Sequence, residues 1–124
     1  MSKRKLLYVD DELINQQLFK YNFQKYFDLL LAGSGQEALD IISSEDVSVI
    51  LTDLKMPGMN GIELTSKIKT QHPDKVCLIV SAYFISEAIS MGLDESMIFE
   101  YITKPWQRDN VIDILNRAFA EISI

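Results

Sequence analysis

The sequence predicts an α/β fold: a single doubly wound (βα)5 domain, in which a five-stranded parallel sheet of order 2-1-3-4-5 carries helices on both faces. Three observations carry that expectation. Short apolar runs rich in β-formers alternate five times with longer segments of helical period, the pattern of βα units around a parallel sheet. The runs are continuously apolar, which marks strands covered on both faces. The 124 residues, 48% hydrophobic and 24% charged, suit one core and leave no room for a second, so residues 1–124 are expected to form one domain.

Strands are expected at residues 5–9, 27–32, 47–52, 76–81 and 98–102. In the first helix Ile14, Leu18 and Tyr21 make the stripe expected to face the sheet. Ala38, Ile41 and Ile42 do so for the second helix, and Leu64 with Ile68 for the third. The fourth, around Ile85, Ala88 and Ile89, is the least regular, and Gly92 either ends it or weakens its middle. The last is the clearest: Val111, Ile114, Leu115, Ala118, Phe119 and Ile122 follow i, i+3, i+4, i+7, i+8, i+11 spacing.

Composition excludes several function classes. Twelve Lys and Arg against eighteen Asp and Glu give a net charge of −6, which argues against direct nucleic-acid binding. The basic start, Met1 to Lys5, leads into a short apolar run that Asp10 and Asp11 break, far short of a signal-peptide core or a membrane span. Cys77 is the only cysteine, so no intrachain disulfide forms and a reducing cytoplasm is the expected compartment.

In an open parallel sheet, ligands bind beyond the carboxyl ends of the strands, where strand order reverses. The first strand ends at Asp10-Asp11, the third at Asp53, the fourth at Ser81-Ala82 and the fifth at Thr103-Lys104-Pro105. In this order the first and third strands are neighbours, so carboxylates, a hydroxyl and an ammonium converge on one rim. Two carboxylates about 5 Å apart repel by roughly 3 kcal/mol at an effective dielectric of about 20. A cation must relieve that repulsion, and oxygen ligands with room for water and phosphate suit Mg²⁺. The charges of Asp10, Asp11, Asp53, Lys104 and one Mg²⁺ cancel, so an incoming phosphoryl group meets no anionic barrier.

Taken singly, each residue has a plainer reading. Asp10 and Asp11 suit a helix N-terminus, Asp53 suits a turn before Met56-Pro57-Gly58, and Lys104 before a proline suits a solvated strand end. Only their convergence promotes them. His72 precedes Pro73 in an expected loop, Trp106 reads as packing beside the site, and Cys77 reads as a small buried hydrophobe. Gly33-Ser34-Gly35-Gln36-Glu37-Ala38 fits a dinucleotide fingerprint with Asp53 about 20 residues on. The chain is too short for two mononucleotide halves plus a substrate domain, and that reading leaves Asp10, Asp11, Ser81 and Lys104 unexplained.

Together the strand ends resemble two-component response-regulator receivers over essentially the whole chain. The resemblance rests on Val9-Asp10-Asp11-Glu12, on the stretch from Leu51 to Gly61 with Asp53, Lys55 and Pro57, on Val80-Ser81-Ala82, and on Tyr101-Ile102-Thr103-Lys104-Pro105. It implies that Asp53 is a phosphoacceptor attacking a phosphohistidine on a sensor histidine kinase or histidine phosphotransfer protein. Asp10, Asp11, Asp53 and the backbone carbonyl of Lys55 would hold Mg²⁺, while Ser81 and Lys104 would hold phosphoryl oxygens and Ala82 would leave the acyl phosphate reachable.

The resemblance also implies a switch in which Ser81 and Tyr101 remodel the surface of the fourth helix, fifth strand and fifth helix. An output domain or downstream effector would read that surface, which is also where receivers pair as homodimers. The chain would promote its own phosphorylation and dephosphorylation while otherwise acting as a signal carrier. Lys55 and Tyr83 stand where receivers vary residues that position the hydrolytic water, and their bulk implies slow turnover. The run from Ser81 to Trp106 resembles receivers that precede large output domains, including cyclic-dinucleotide phosphodiesterases; no output domain is expected within these residues. An aspartyl-phosphate phosphatase would resemble D-x-D at the first strand, whereas here the acids are adjacent. An unphosphorylated interaction module of the same fold would be free to lose part of the acid, hydroxyl and lysine set.

Overall fold

The computed structural model describes residues 3–122, so Met1 and Ser2 of the basic start and the last two residues lie outside the described residues. Strands β1 (Lys5–Val9), β2 (Asp28–Ala32), β3 (Val49–Asp53), β4 (Val76–Ser81) and β5 (Glu100–Thr103) alternate with five helices. These are α1 (Leu13–Phe23), α2 (Gly35–Ser44), α3 (Gly61–Gln71), α4 (Ile85–Ser90) and α5 (Arg108–Ala120). All pairings are parallel and the order is β2-β1-β3-β4-β5, as the sequence predicts.

The period-two alternation of strand side chains divides the core. Leu6, Tyr8, Leu51, Leu78 and Val80 meet Phe19 and Phe23 of α1 and the predicted stripe of α5, with Ile122 partly buried at its end. On the other face Leu7, Val9, Ile50 and Cys77 meet Ala38 and Ile42 of α2 and Leu64 and Ile68 of α3. The edge strands β2 and β5 are only half-buried, because each has a neighbour on one side.

The first helix corrects the sequence reading. Ile14, Leu18 and Tyr21 are 72%, 54% and 80% exposed, and Phe19 and Phe23 turn to the sheet instead. Apolar residues occur nearly all round this helix, so periodicity alone does not choose the buried face. The aromatic pair decides it: Phe19 stacks on Tyr8 with ring centroids 3.9 Å apart, and Trp106 packs on Phe23 at 5.2 Å. The two phenyl rings gain face and edge contacts with Tyr8 and Trp106 that the predicted stripe would not make.

In α4 only Ala88 of the expected trio is buried, while Ile85 and Ile89 reach solvent. Gly92 ends this helix. Its φ of 108° supports a Schellman turn in which Leu93 N–H donates to Ala88 O and Gly92 N–H to Ile89 O, both at 3.0 Å. Strand limits move by one or two residues: β3 begins after Val47, whose burial serves packing, and it extends to include Asp53. Strand β5 begins after Ile98 and Phe99.

Candidate functional site

Register builds the site. Val9 pairs with Thr52, so the next residues, Asp10 and Asp53, are level on adjacent strand ends. Asp53 pairs with Val80 and Ser81 with Thr103, which places Ser81 one residue beyond Asp53 and Lys104 just past the same edge. Asp10, Asp11 and Asp53 each bring a carboxylate oxygen into a set lying within 4.8 Å of one another.

Asp10 is fully buried, its Oδ2 accepting from Tyr8 Oη at 2.8 Å and its Oδ1 from Glu12 N–H at 3.0 Å, while Gln16 donates to its carbonyl oxygen at 2.7 Å. Asp11 is exposed. Asp53 is 9% exposed; its Oδ1 accepts from Leu54 N–H at 2.9 Å and lies 3.8 Å from Lys104 Nζ. Burial pushes the Asp53 carboxyl up to about 6; Lys104 and the Leu54 N–H pull it down, and Asp10 and Asp11 push it further up. Burial and the Asp10 charge likewise raise the Tyr8 phenol, which keeps it a donor to Asp10.

The loop after β3 is held close by Gly61, whose N–H donates to Leu54 O at 2.7 Å. A Cβ there would collide with the Asp53 carbonyl oxygen, so only glycine lets α3 start against the strand end. Asn60 and Glu63 cap that helix reciprocally, which fixes the loop carrying Lys55. The glycine pattern at Gly33 has another use: Ser34 Oγ accepts from Glu37 N–H and Glu37 Oε1 accepts from Gly33 N–H. An acidic side chain already sits at that helix start, where a pyrophosphate would have to bind.

Ser81 is buried and accepts from Tyr83 N–H at 3.0 Å. Tyr101 does not join the acids. It packs beside Leu54, Ile79, Ala88 and Leu93, and its hydroxyl donates to Tyr83 O at 2.7 Å. Burial raises its phenol, with the nearby Ser81 hydroxyl acting the other way. Cys77 is buried and inert, its thiol pushed up to about 12 by burial. Tyr8 and Gln16 are the site neighbours that the sequence reading missed, and for Tyr83 it missed the main-chain bonds to Ser81 and Tyr101. For Tyr8 a signal existed: residues two apart on a strand share a face, so a phenol at position 8 points the same way as Asp10.

The donor set fits Mg²⁺. It is all oxygen, and three carboxylate donors gather within 4.8 Å of one another at an open rim, the hard-oxygen set with room for water and phosphate that Mg²⁺ prefers. The sequence profile of the response regulator receiver domain matches residues 6–116. The chain belongs to the receiver domain family. Receivers are phosphorylation-dependent switches of two-component signalling, and this chain is one; members typically bind Mg²⁺ and work with histidine kinases or phosphotransfer partners.

This receiver is 36% identical over 113 residues to the hydrogenase transcriptional regulatory protein HoxA of Cupriavidus necator, matching 91% of the chain but spanning only 23% of that relative's length. It is 29% identical to the sporulation initiation phosphotransferase F of Bacillus subtilis, with 94% of each chain covered. Among solved structures it resembles the response regulator protein TrrA of Thermotoga maritima in complex with Mg²⁺-BeF, at 25% identity and a TM-score of 0.83, over 93% of this receiver and 98% of that chain. Among the described residues no helix is long and apolar enough to cross a membrane.

Proposed function

We propose that Asp53 takes the phosphoryl group from a phosphohistidine on a sensor histidine kinase or histidine phosphotransfer protein, with residues 1–124 acting as one receiver unit. The observation that carries this reading is the position of Asp53: it alone of the clustered acids is paired with an ammonium, 3.8 Å away, at the centre of the sheet's carboxyl edge. An Asp53 carboxylate oxygen attacks phosphorus in line; the O–P bond forms as the P–N bond breaks, and the imidazole nitrogen leaves with its electron pair. Lys104 and Ser81 then hold the phosphoryl oxygens on which charge accumulates. Mg²⁺, held by Asp10, Asp11, Asp53 and the Lys55 carbonyl, would neutralise phosphoryl charge and so make the acidic rim a receptor for an anion. Hydrolysis by water at phosphorus breaks the same O–P bond and restores the carboxylate, so the chain promotes both its phosphorylation and its dephosphorylation.

The exposed side of α1 supports a protein donor. Leu18 joins Asn15, Tyr8, Lys104 and Trp106 around a cleft of about 530 Å³, so the apolar face of α1 runs directly into the rim that carries Asp53. A donor helix seated there would bring its phosphohistidine over the site. On the other flank, exposed Phe84, Ile85, Ile89 and Met91 near Tyr101 support an effector, an output region or a second copy as the reader of the switched surface. The cytoplasm is the matching compartment.

The test uses a phosphorylated histidine phosphotransfer protein and a small acyl phosphate as alternative donors. The double variant Ile14→Glu, Leu18→Glu is expected to lose transfer from the protein donor by at least tenfold while still accepting phosphate from the small donor. Equal transfer from the protein donor to parent and variant would remove α1 from the docking face.

A further inference from the structure

Tyr83 is a junction that the switch reading leaves unused. Its N–H donates to Ser81 Oγ and its carbonyl accepts from Tyr101 Oη, so one residue's main chain holds both groups of the switch. Its ring holds something else: Lys55 Nζ lies 4.7 Å from the ring centroid. Lys55 is exposed, stands two residues after Asp53, and among the described residues forms no salt bridge. The ammonium therefore bridges the loop after β3 to the loop after β4.

We propose that Lys55 is a positioning residue whose ammonium, seated on the Tyr83 ring, steadies the Tyr83 main chain and thereby holds Tyr101 inward before any phosphoryl group arrives. A cation on an aromatic face at an exposed position shifts such an equilibrium by about two- to five-fold. The clasp biases the resting state of the switch without closing it. The clasp does not depend on Asp53 as phosphoacceptor.

The experiment is ¹³C-tyrosine NMR of the unphosphorylated, Mg²⁺-free protein, with the Tyr101 ring signal assigned by Tyr101→Phe and its exposure read from a soluble paramagnet. Lys55→Gln keeps a long polar side chain, one atom shorter, without the charge and is expected to raise the exposed fraction of Tyr101 about two- to five-fold. Lys55→Arg is expected to restore parent behaviour, because a guanidinium also sits on aromatic faces. Tyr83→Leu should match Lys55→Gln, whereas Tyr83→Phe, which keeps the ring, should match the parent. An unchanged Tyr101 signal in Lys55→Gln would overturn the clasp, as would failure of Lys55→Arg to restore it. Failure of Asp53 to accept phosphate would leave these ring readouts intact, so the two readings fail separately.

Discussion

Asp53 has a cost that can be measured. Its carboxyl titrates near 6 in the folded protein against 3.8 for the unperturbed group, mainly through burial. Between those values the folded chain binds more protons than the unfolded one, so stability falls as pH rises through the window and stays lower above it. The shift corresponds to a penalty on the order of 3 kcal/mol at neutral pH. Asp53→Asn is therefore expected to stabilise the Mg²⁺-free protein by about 1–3 kcal/mol at pH 7.5, with the gain vanishing below pH 4, as read by urea unfolding across pH. Tyr8 acts in the opposite sense. Tyr8→Phe removes the donor to Asp10 Oδ2 and is expected to cost about 1–3 kcal/mol and to weaken Mg²⁺ binding, measured by calorimetry.

Elements were legible from the sequence where one pattern dominated. The stripe of α5 lies buried as its spacing predicts, while α1, with apolar residues on every side, left the choice to aromatic stacking that no periodicity encodes. Phe19→Ala is accordingly expected to cost about 3–5 kcal/mol and Ile14→Ala less than about 0.5 kcal/mol, checked by thermal unfolding. Helix α3 carries a sharper test. Gly61→Ala places a methyl group against the Asp53 carbonyl, so both stability and phosphorylation by a small acyl phosphate should fall, the latter because the strand end carrying Asp53, the proposed phosphoacceptor, is displaced. The acids, Ser81 and Lys104 were legible because strand ends can be located from apolar runs, and parallel pairing then sets them side by side. The Tyr8 hydroxyl bond to Asp10 and the bond from Tyr101 to the Tyr83 carbonyl were not read, since such partners are fixed only in three dimensions.

At the scale of the whole molecule, the sheet brings like charges together and leaves them short of one cation, which makes stability, metal binding and phosphorylation one linked equilibrium. Mg²⁺ should raise the unfolding free energy by about 1.4 kcal/mol for each tenfold excess over its dissociation constant, and Asp53→Asn should blunt that response. On the proposed reading, phosphorylation would move the Tyr101 surface only as far as the phosphoryl group prefers one arrangement of Ser81 over the other. The most direct measurement is intact mass after incubation with Mg²⁺ and a small acyl phosphate, parent beside Asp53→Asn. One phosphoryl group gained by the parent, dependent on Mg²⁺ and absent from the variant, is the expected result. An unmodified parent, or a variant modified as fully as the parent, would contradict Asp53 as the phosphoacceptor.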